Sequence, residues 1–208
     1  MNNTIYHSVK RDGRTFNFLR DGAAAPIPEI ETIFEPMIDA VMKVRPPPAG
    51  EYFLAGCAPD KNFFGTPPHN LPNGAVCVCH LTAHEVEQKW SSFWSGIGLG
   101  PRNNLILYNF KGISDRITYL RQALPESAAM FLAASLLAFE LYHVKHNQFK
   151  MHSWDGEAKA YRAQREFINR GASLFGLDAM NKKIAIDESR KWQADHRKLW
   201  QQTHPGES

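Results

Sequence analysis

The residues of this chain best suited to chemistry are a glutamate and a histidine three positions apart, Glu140 and His143, within the apolar stretch Leu136 to Val144. Residues three or four positions apart lie on the same side of a helix, so their side chains can reach one common ion. A further glutamate, Glu157, lies in the next segment with a helical pattern. Imidazole and carboxylate groups bind zinc, and a carboxylate beside a zinc-bound water can act as a general base. These residue types suit metal binding and acid–base chemistry, provided that two helices bring them together.

The order of these two segments resembles the zinc-binding region of zincins of the gluzincin type, as found in bacterial metallopeptidase-like domains. Zincins carry His-Glu-x-x-His on one helix, and in the families resembled here a later helix begins with a motif like Glu-Ala-x-Ala-Tyr-x-x-Gln. The two matching segments read Phe139-Glu140-Leu141-Tyr142-His143 and Glu157-Ala158-Lys159-Ala160-Tyr161-Arg162-Ala163-Gln164. The resemblance covers roughly residues 104–170, about a third of the chain.

The resemblance implies a role for each matching position. Glu140 corresponds to the glutamate that polarises the zinc-bound water, so it is the expected catalytic residue. His143 corresponds to the second histidine ligand, and Glu157 corresponds to the third ligand, with Asp155 as the neighbour that could replace it. The implied cofactor is zinc, and the implied activity is metal-dependent hydrolysis of peptide bonds.

Phe139 departs from the zincin pattern at the position of the first histidine ligand. A phenylalanine ring has no donor atom for zinc, and two remaining protein ligands do not make a tight catalytic site. His146 lies seven residues after Phe139 and therefore on the same side of the helix, two turns later. A shifted metal site of His143, His146 and Glu157 is one way to restore three ligands.

Three functional hypotheses remain open. The leading one is a catalytically degenerate metallopeptidase-like protein, a pseudoenzyme that binds a peptide or protein. The second is an active metal-dependent hydrolase with a rearranged site, in which Glu140 is the base. The third is a non-enzymatic interaction or effector module that uses the glycine- and proline-rich loop of residues 50–73 as its contact surface. Whether the chain is an enzyme therefore stays open.

The motif helix also has an explanation without any site. Its leucines and Val144 account for a core helix, and Glu140 with His143 would then be an ordinary satisfied pair. A ferritin-like di-iron site is disfavoured, because that site requires a second Glu-x-x-His motif and the sequence contains none.

A second possible metal cluster consists of Cys77, Cys79, His80 and His84. Its spacing differs from the usual Cys-x-x-Cys pattern of zinc knuckles, and cysteines in a strand are common core residues. The glycine-rich segment of residues 96–100 precedes a proline and a strand rather than a helix, which argues against a dinucleotide-binding loop.

The composition is that of an ordinary globular protein, with 208 residues, 43% hydrophobic and 22% charged residues. A net charge of +3, spread along the chain, does not favour nucleic acid as a partner. Three cysteines do not predict a disulfide framework. We expect cytoplasmic synthesis without a classical signal peptide, although delivery as an effector by another route stays compatible, and no membrane partner is expected because the longest apolar run has about 12 residues.

The first half of the chain must supply a sheet that supports the motif helices. Asp12-Gly13 between two β-prone runs predicts a hairpin within residues 1–22. The apolar spacing predicts a helix over 29–44 that Pro36 kinks or splits. Strands are predicted at 52–55, 75–81 and 104–110, with a helix at 82–95.

The second half is predicted to be mainly helical after Lys111-Gly112. Helices are expected at 114–123, 127–148, 153–170 and 184–202. Ser153 is the expected N-cap and Gly171 the expected C-cap of the third of these. The result is one α+β domain, divided into the hairpin, an α+β part at 29–112 and a helical part at 113–203.

Overall fold

The computed structural model is an α+β protein, with strands in the first half of the chain and helices in the second, as the sequence predicts. The structure describes residues 4–20, 30–56, 77–79, 105–108, 110–146 and 153–203. The predicted helix at 82–95 and most of the predicted loop at 50–73 lie outside these residues.

A β-hairpin forms where Asp12-Gly13 predicts it. Strand β1 (Thr4–Arg11) pairs antiparallel with strand β2 (Arg14–Arg20). Asp12 and Gly13 both have positive φ angles, 44° and 75°, as the tight type I′ hairpin turn requires. The turn chemistry therefore fixes the register of the first two strands.

Within the described residues, five strands form one mixed sheet in the order β1-β2-β3-β5-β4. Strand β3 (Gly50–Gly56) lies parallel to β2, and β5 (Leu105–Tyr108) lies parallel to β3. Strand β4 (Cys77–Cys79) pairs antiparallel with β5 at the edge. The three predicted strands are thus present, although β4 and β5 are shorter than predicted.

The predicted helix at 29–44 is divided at Pro36. A π-helical turn (Ile30–Phe34) leads into helix α1 (Glu35–Val44), and Pro36 occupies the first turn of α1. A proline costs no hydrogen bond there, because the first N–H groups of a helix have no partner within it. Phe34 is buried against Phe18 of β2 and Tyr108 of β5, so this segment packs on the sheet.

Helix α2 (Phe110–Leu120) begins four residues earlier than the predicted 114, so Lys111 and Gly112 lie inside it. It buries Ile113, Ile117 and Leu120. A single glycine within a helix costs only about 1 kcal/mol, and burying these three side chains outweighs that cost.

Helix α3 (Glu126–His146) is the central element of the fold. It packs against α1, α2 and the edge strand β4 on one side and against the next helix on the other. Among the described helices it alone has the length and apolar composition of a membrane span, but 61% of that stretch is buried inside the protein. A mostly buried apolar helix is what a protein core also requires, in agreement with the prediction of a core helix.

Helices α4 (Trp154–Gly171) and α5 (Ala179–Thr203) complete the helical half, with α4 packed between α3 and α5. Ser153 caps α4 as predicted, because its side chain accepts a hydrogen bond from the backbone N–H of Gly156. Helix α5 begins earlier than predicted. Asp178 precedes it and accepts a hydrogen bond from the N–H of Asn181, which is an N-cap arrangement.

The prediction of Gly171 as the C-cap of α4 is wrong, because Gly171 is helical and Ala172 follows it as the cap. Packing explains the glycine instead. A Cβ atom at Gly171 would lie 2.4 Å from Cζ of Phe131 and 2.8 Å from Cγ2 of Val44. Helix α4 therefore approaches α3 and α1 at a distance that only glycine allows.

Candidate functional site

Helix α3 places Glu140 and His143 inside the protein rather than on its surface. The exposed fraction is 3% for Glu140 and 8% for His143. Both lie in the last two turns of the helix, among the mostly apolar residues that it buries. Ionisable groups are rarely buried to this extent without partners, so their surroundings decide what they do.

Glu157 in the first turn of α4 meets His143 across the α3–α4 contact. One carboxylate oxygen of Glu157, Oε2, lies 3.5 Å from Nε2 of His143, and only 13% of the Glu157 side chain is exposed. The Ser153 cap fixes the start of α4 and hence the position of this turn. The structure thus brings together His143 and Glu157, two of the residues that the sequence analysis predicts as metal ligands.

Phe139 contributes a hydrocarbon ring to the same side of α3. Its ring centroid lies 4.8 Å from the His143 ring and 4.7 Å from the Tyr161 ring of α4. An imidazole at position 139 would point to the same region as His143. The aromatic ring therefore lies at the position for which the zincin resemblance implies a histidine ligand.

Helix α5 adds a residue that the sequence interpretation missed, His196. Its Nδ1 atom lies 3.8 Å from Oε2 of Glu157 and 3.2 Å from the hydroxyl of Tyr161. The signal was present in the sequence, because His196 lies four residues from both Trp192 and Trp200. These tryptophans are buried, and the same helical side must carry His196 toward the body of the protein.

Burial and neighbouring charges shift the pKa values in this cluster in opposite directions. Burial raises the pKa of the Tyr161 hydroxyl, and the carboxylates of Glu157 and Glu140 raise it further. Burial lowers the pKa of His196, while Glu157 opposes this shift and His143 adds to it. Both shifts favour the neutral forms of Tyr161 and His196.

The two other predicted candidates lie at the margin of this cluster. His146 is exposed, and its ring lies 4.1 Å from the ring of Tyr142. Burial and the positive charge of Lys145 lower its pKa. Asp155 is exposed and pairs with Lys159 one turn along α4. The carboxylate next to His143 is therefore that of Glu157.

The second possible cluster is described only in part. Cys77 and Cys79 are the ends of β4, paired with Tyr108 and Ile106 of β5. The predicted companions, His80 and His84, lie outside the described residues.

The side chains of the α3–α4–α5 cluster are of the types that bind zinc, but their positions in this structure do not form a zinc site. Two imidazoles and a carboxylate are among the donors that zinc prefers. As the side chains stand, no three His, Cys, Asp or Glu residues of the described ranges are grouped so that they could hold one ion. Any metal bound here requires a side chain to move.

Comparison of the whole chain with protein-family models, with curated proteins and with solved structures finds no match. The functional argument therefore rests on the geometry of this cluster.

Proposed function

We propose that this chain is a zincin-like, metallopeptidase-like protein that does not catalyse zinc-dependent proteolysis and acts by binding a peptide or protein. One observation carries the proposal. The ring of Phe139 lies against His143 and Tyr161, and the zincin resemblance implies a histidine ligand at this position. A protein with phenylalanine at this position lacks one of the three protein ligands of a zincin peptidase.

The surroundings of the ring favour a binding role. Phe139, Tyr142 and Trp154 are only partly buried, and they surround the His143–Glu157 pair on the two helices. The guanidinium of Arg197 lies 5.7 Å from the centre of the Trp154 ring. Partly exposed aromatic residues with a neighbouring arginine are enriched at protein interfaces.

The test is selection of binding peptides from a random phage-displayed library, followed by fluorescence polarisation with the purified full chain. We expect Phe139→Ala to weaken binding of the selected peptides by about tenfold or more, which corresponds to roughly 1.4 kcal/mol. The matched control is Tyr119→Ala, because Tyr119 is an aromatic residue on α2 that is 48% exposed. Equal affinities of both variants would contradict the proposal.

The second candidate is an active metal-dependent hydrolase with a rearranged site. It is favoured by the 3.5 Å approach of Glu157 to His143, with Glu140 buried one turn away on α3. A bound zinc ion would supply an activated water, and Glu140 would take the proton from it. The ligand set predicted from the sequence for this candidate is His143, His146 and Glu157.

Incubation of the zinc-supplemented protein with a quenched fluorescent peptide library separates the two candidates. Our proposal predicts no cleavage. Cleavage that disappears in Glu140→Gln would instead establish the hydrolase, because this substitution removes the base and keeps the size of the side chain. Cleavage that survives in Glu140→Gln would indicate a contaminating peptidase.

A further inference from the structure

The carboxylate of Glu157 lies between two imidazoles that come from different helices. His143 of α3 approaches Oε2 at 3.5 Å, and His196 of α5 approaches the same oxygen at 3.8 Å. Nitrogen–oxygen hydrogen bonds are about 2.7–3.2 Å long, so both separations exceed that range. The three groups are neighbours, but neither separation is a direct hydrogen bond.

These separations are close to those between ligands that share a zinc ion. Zinc binds nitrogen and oxygen at about 2.0–2.2 Å in a tetrahedral arrangement, which puts neighbouring ligand atoms roughly 3.3–3.6 Å apart. The His143–Glu157 separation of 3.5 Å falls within this range, and the Glu157–His196 separation of 3.8 Å is slightly longer. Two of the three ligand–ligand distances are therefore nearly correct.

The charges of the buried groups also favour a cation. Glu140 and Glu157 introduce two carboxylates into a region where both are largely shielded from water. Arg116 and Arg165 act on this region from the side of Tyr161. A divalent ion between the imidazoles and the carboxylate would offset the acidic charge where it is most buried.

We propose that Nε2 of His143, the carboxylate of Glu157 and Nδ1 of His196 bind one divalent cation of the zinc class. His196 supplies the imidazole that position 139 lacks, and it does so from a different helix. This site goes beyond the proposed peptide binding. Zinc bound here without cleavage of the peptide library leaves the non-catalytic proposal standing, whereas zinc together with cleavage that disappears in Glu140→Gln would replace it by the hydrolase.

The ligand that moves on binding is His196. Its side chain is 35% exposed, against 10% for His143 and 13% for Glu157, so it has the most space. Its Nδ1 atom exchanges the contact with the Tyr161 hydroxyl for the ion. After this exchange the Tyr161 hydroxyl can turn to the backbone carbonyl oxygen of Trp192, which lies 3.4 Å away.

Isothermal titration calorimetry with zinc chloride on the chelator-treated full chain tests the site, with metal content measured by mass spectrometry. We expect one equivalent of zinc in the native chain. His196→Ala should weaken its affinity by more than about 100-fold, because even the loss of a residue that only orients a ligand costs about 10–100-fold.

Two histidines serve as matched controls. His146 lies on α3 close to His143, and His7 forms an unrelated pair with Glu35 at 3.1 Å on the sheet side of the protein. His146→Ala and His7→Ala should leave zinc affinity unchanged. Equal affinity of His196→Ala and the native chain would overturn the proposal, as would the absence of stoichiometric binding. Loss of zinc in His146→Ala with retention in His196→Ala would assign the ion to His146 instead.

A double variant tests the replacement of position 139 directly. Phe139→His in the His196→Ala chain should restore zinc binding, because it returns an imidazole to the zincin position. If the double variant has a native circular dichroism spectrum but does not bind zinc, His196 does not take the place of a histidine ligand at position 139. If His196→Ala does not fold, His196→Gln replaces it in both experiments. The peptide-binding assay is a separate measurement, so either proposal can fail without the other.

Discussion

The two ends of helix α3 are equally buried but contain different chemistry. Near its beginning, Phe131, Ala133 and Ala134 are at most 1% exposed, and the ring of Phe131 stacks on Phe167 and Phe175. Near its end the buried residues include Glu140 and His143 beside Leu141, and these two face ionisable groups of α4 and α5. One helix thus has an apolar end and an ionisable end.

The difference shows what each end contributes. Burying an aromatic ring stabilises the fold, while burying a carboxylate costs free energy that its partners only partly return. Proteins tend to keep such costly residues where function requires them. We therefore expect substitutions at the two ends to affect stability with different magnitude.

The largest effect is expected at the apolar end. Phe131→Ala should lower the free energy of unfolding by about 3–5 kcal/mol, because it removes a large buried side chain and leaves a cavity. Urea unfolding followed by circular dichroism measures this change. Tyr119→Ala, at an exposed aromatic residue of α2, is the control and should change stability by no more than about 0.5 kcal/mol. A cost below about 1 kcal/mol for Phe131→Ala would contradict the assignment of this end to the core.

The close approach of α4 to the apolar end predicts a smaller effect. Gly171→Ala should destabilise the protein by about 1–3 kcal/mol, because the new methyl group overlaps the ring of Phe131. The same substitution in a helix without this contact would stabilise by up to about 1 kcal/mol. Adding Phe131→Leu makes room, so the two substitutions together should cost less than the sum of their separate costs. If the two changes in unfolding free energy, measured in urea, simply add, the contact between residue 171 and the ring of Phe131 is not the cause of the destabilisation.

The cap of α4 predicts a local effect at the ionisable end. Ser153→Ala should cost about 0.5–2 kcal/mol, because it removes the hydrogen bond to the Gly156 N–H. Glu157 lies one turn after this cap, so fraying should loosen its approach to His143. Amide hydrogen exchange should accelerate in the first turn of α4 while the amides near Phe167 stay protected. Uniform acceleration along α4 would mean that the helix responds as a single unit.

The sequence predicted most of the elements because their signals are local. The Asp12-Gly13 turn, the Ser153 cap and the helical spacing of α3 each depend on a few neighbouring residues, and the structure confirms them. Gly171 was misassigned because a glycine near a helix end resembles a cap, whereas its real reason is a contact with Phe131, 40 positions earlier. Local patterns do not contain such long-range contacts.

In the candidate site, too, only the residues that lie in local motifs were predictable from the sequence. The approach of Glu157 to His143 followed from two motifs, each recognisable on its own helix. His196 was missed because no motif includes it, and only the packing of α5 on α4 brings it to Glu157. Its place between two buried tryptophans on one side of α5 was the available clue.

The smallest effect is expected at Glu140, where Glu140→Gln keeps the size of the side chain and its hydrogen-bonding atoms. The substitution removes only the charge of a carboxylate that is 3% exposed and acts on the same tyrosine as Glu157. A hydrogen bond to a charged group contributes about 1 kcal/mol more than one between neutral groups, so we expect a loss of about 1 kcal/mol or less. Urea unfolding of Glu140→Gln, beside Leu137→Met on the same helix as a conservative core control, measures it. A loss of more than about 2 kcal/mol would place Glu140 among the residues that hold the fold together, since a buried charged group is that costly to remove only when its partners depend on it. In that case the two ends of α3 would differ in composition but not in purpose.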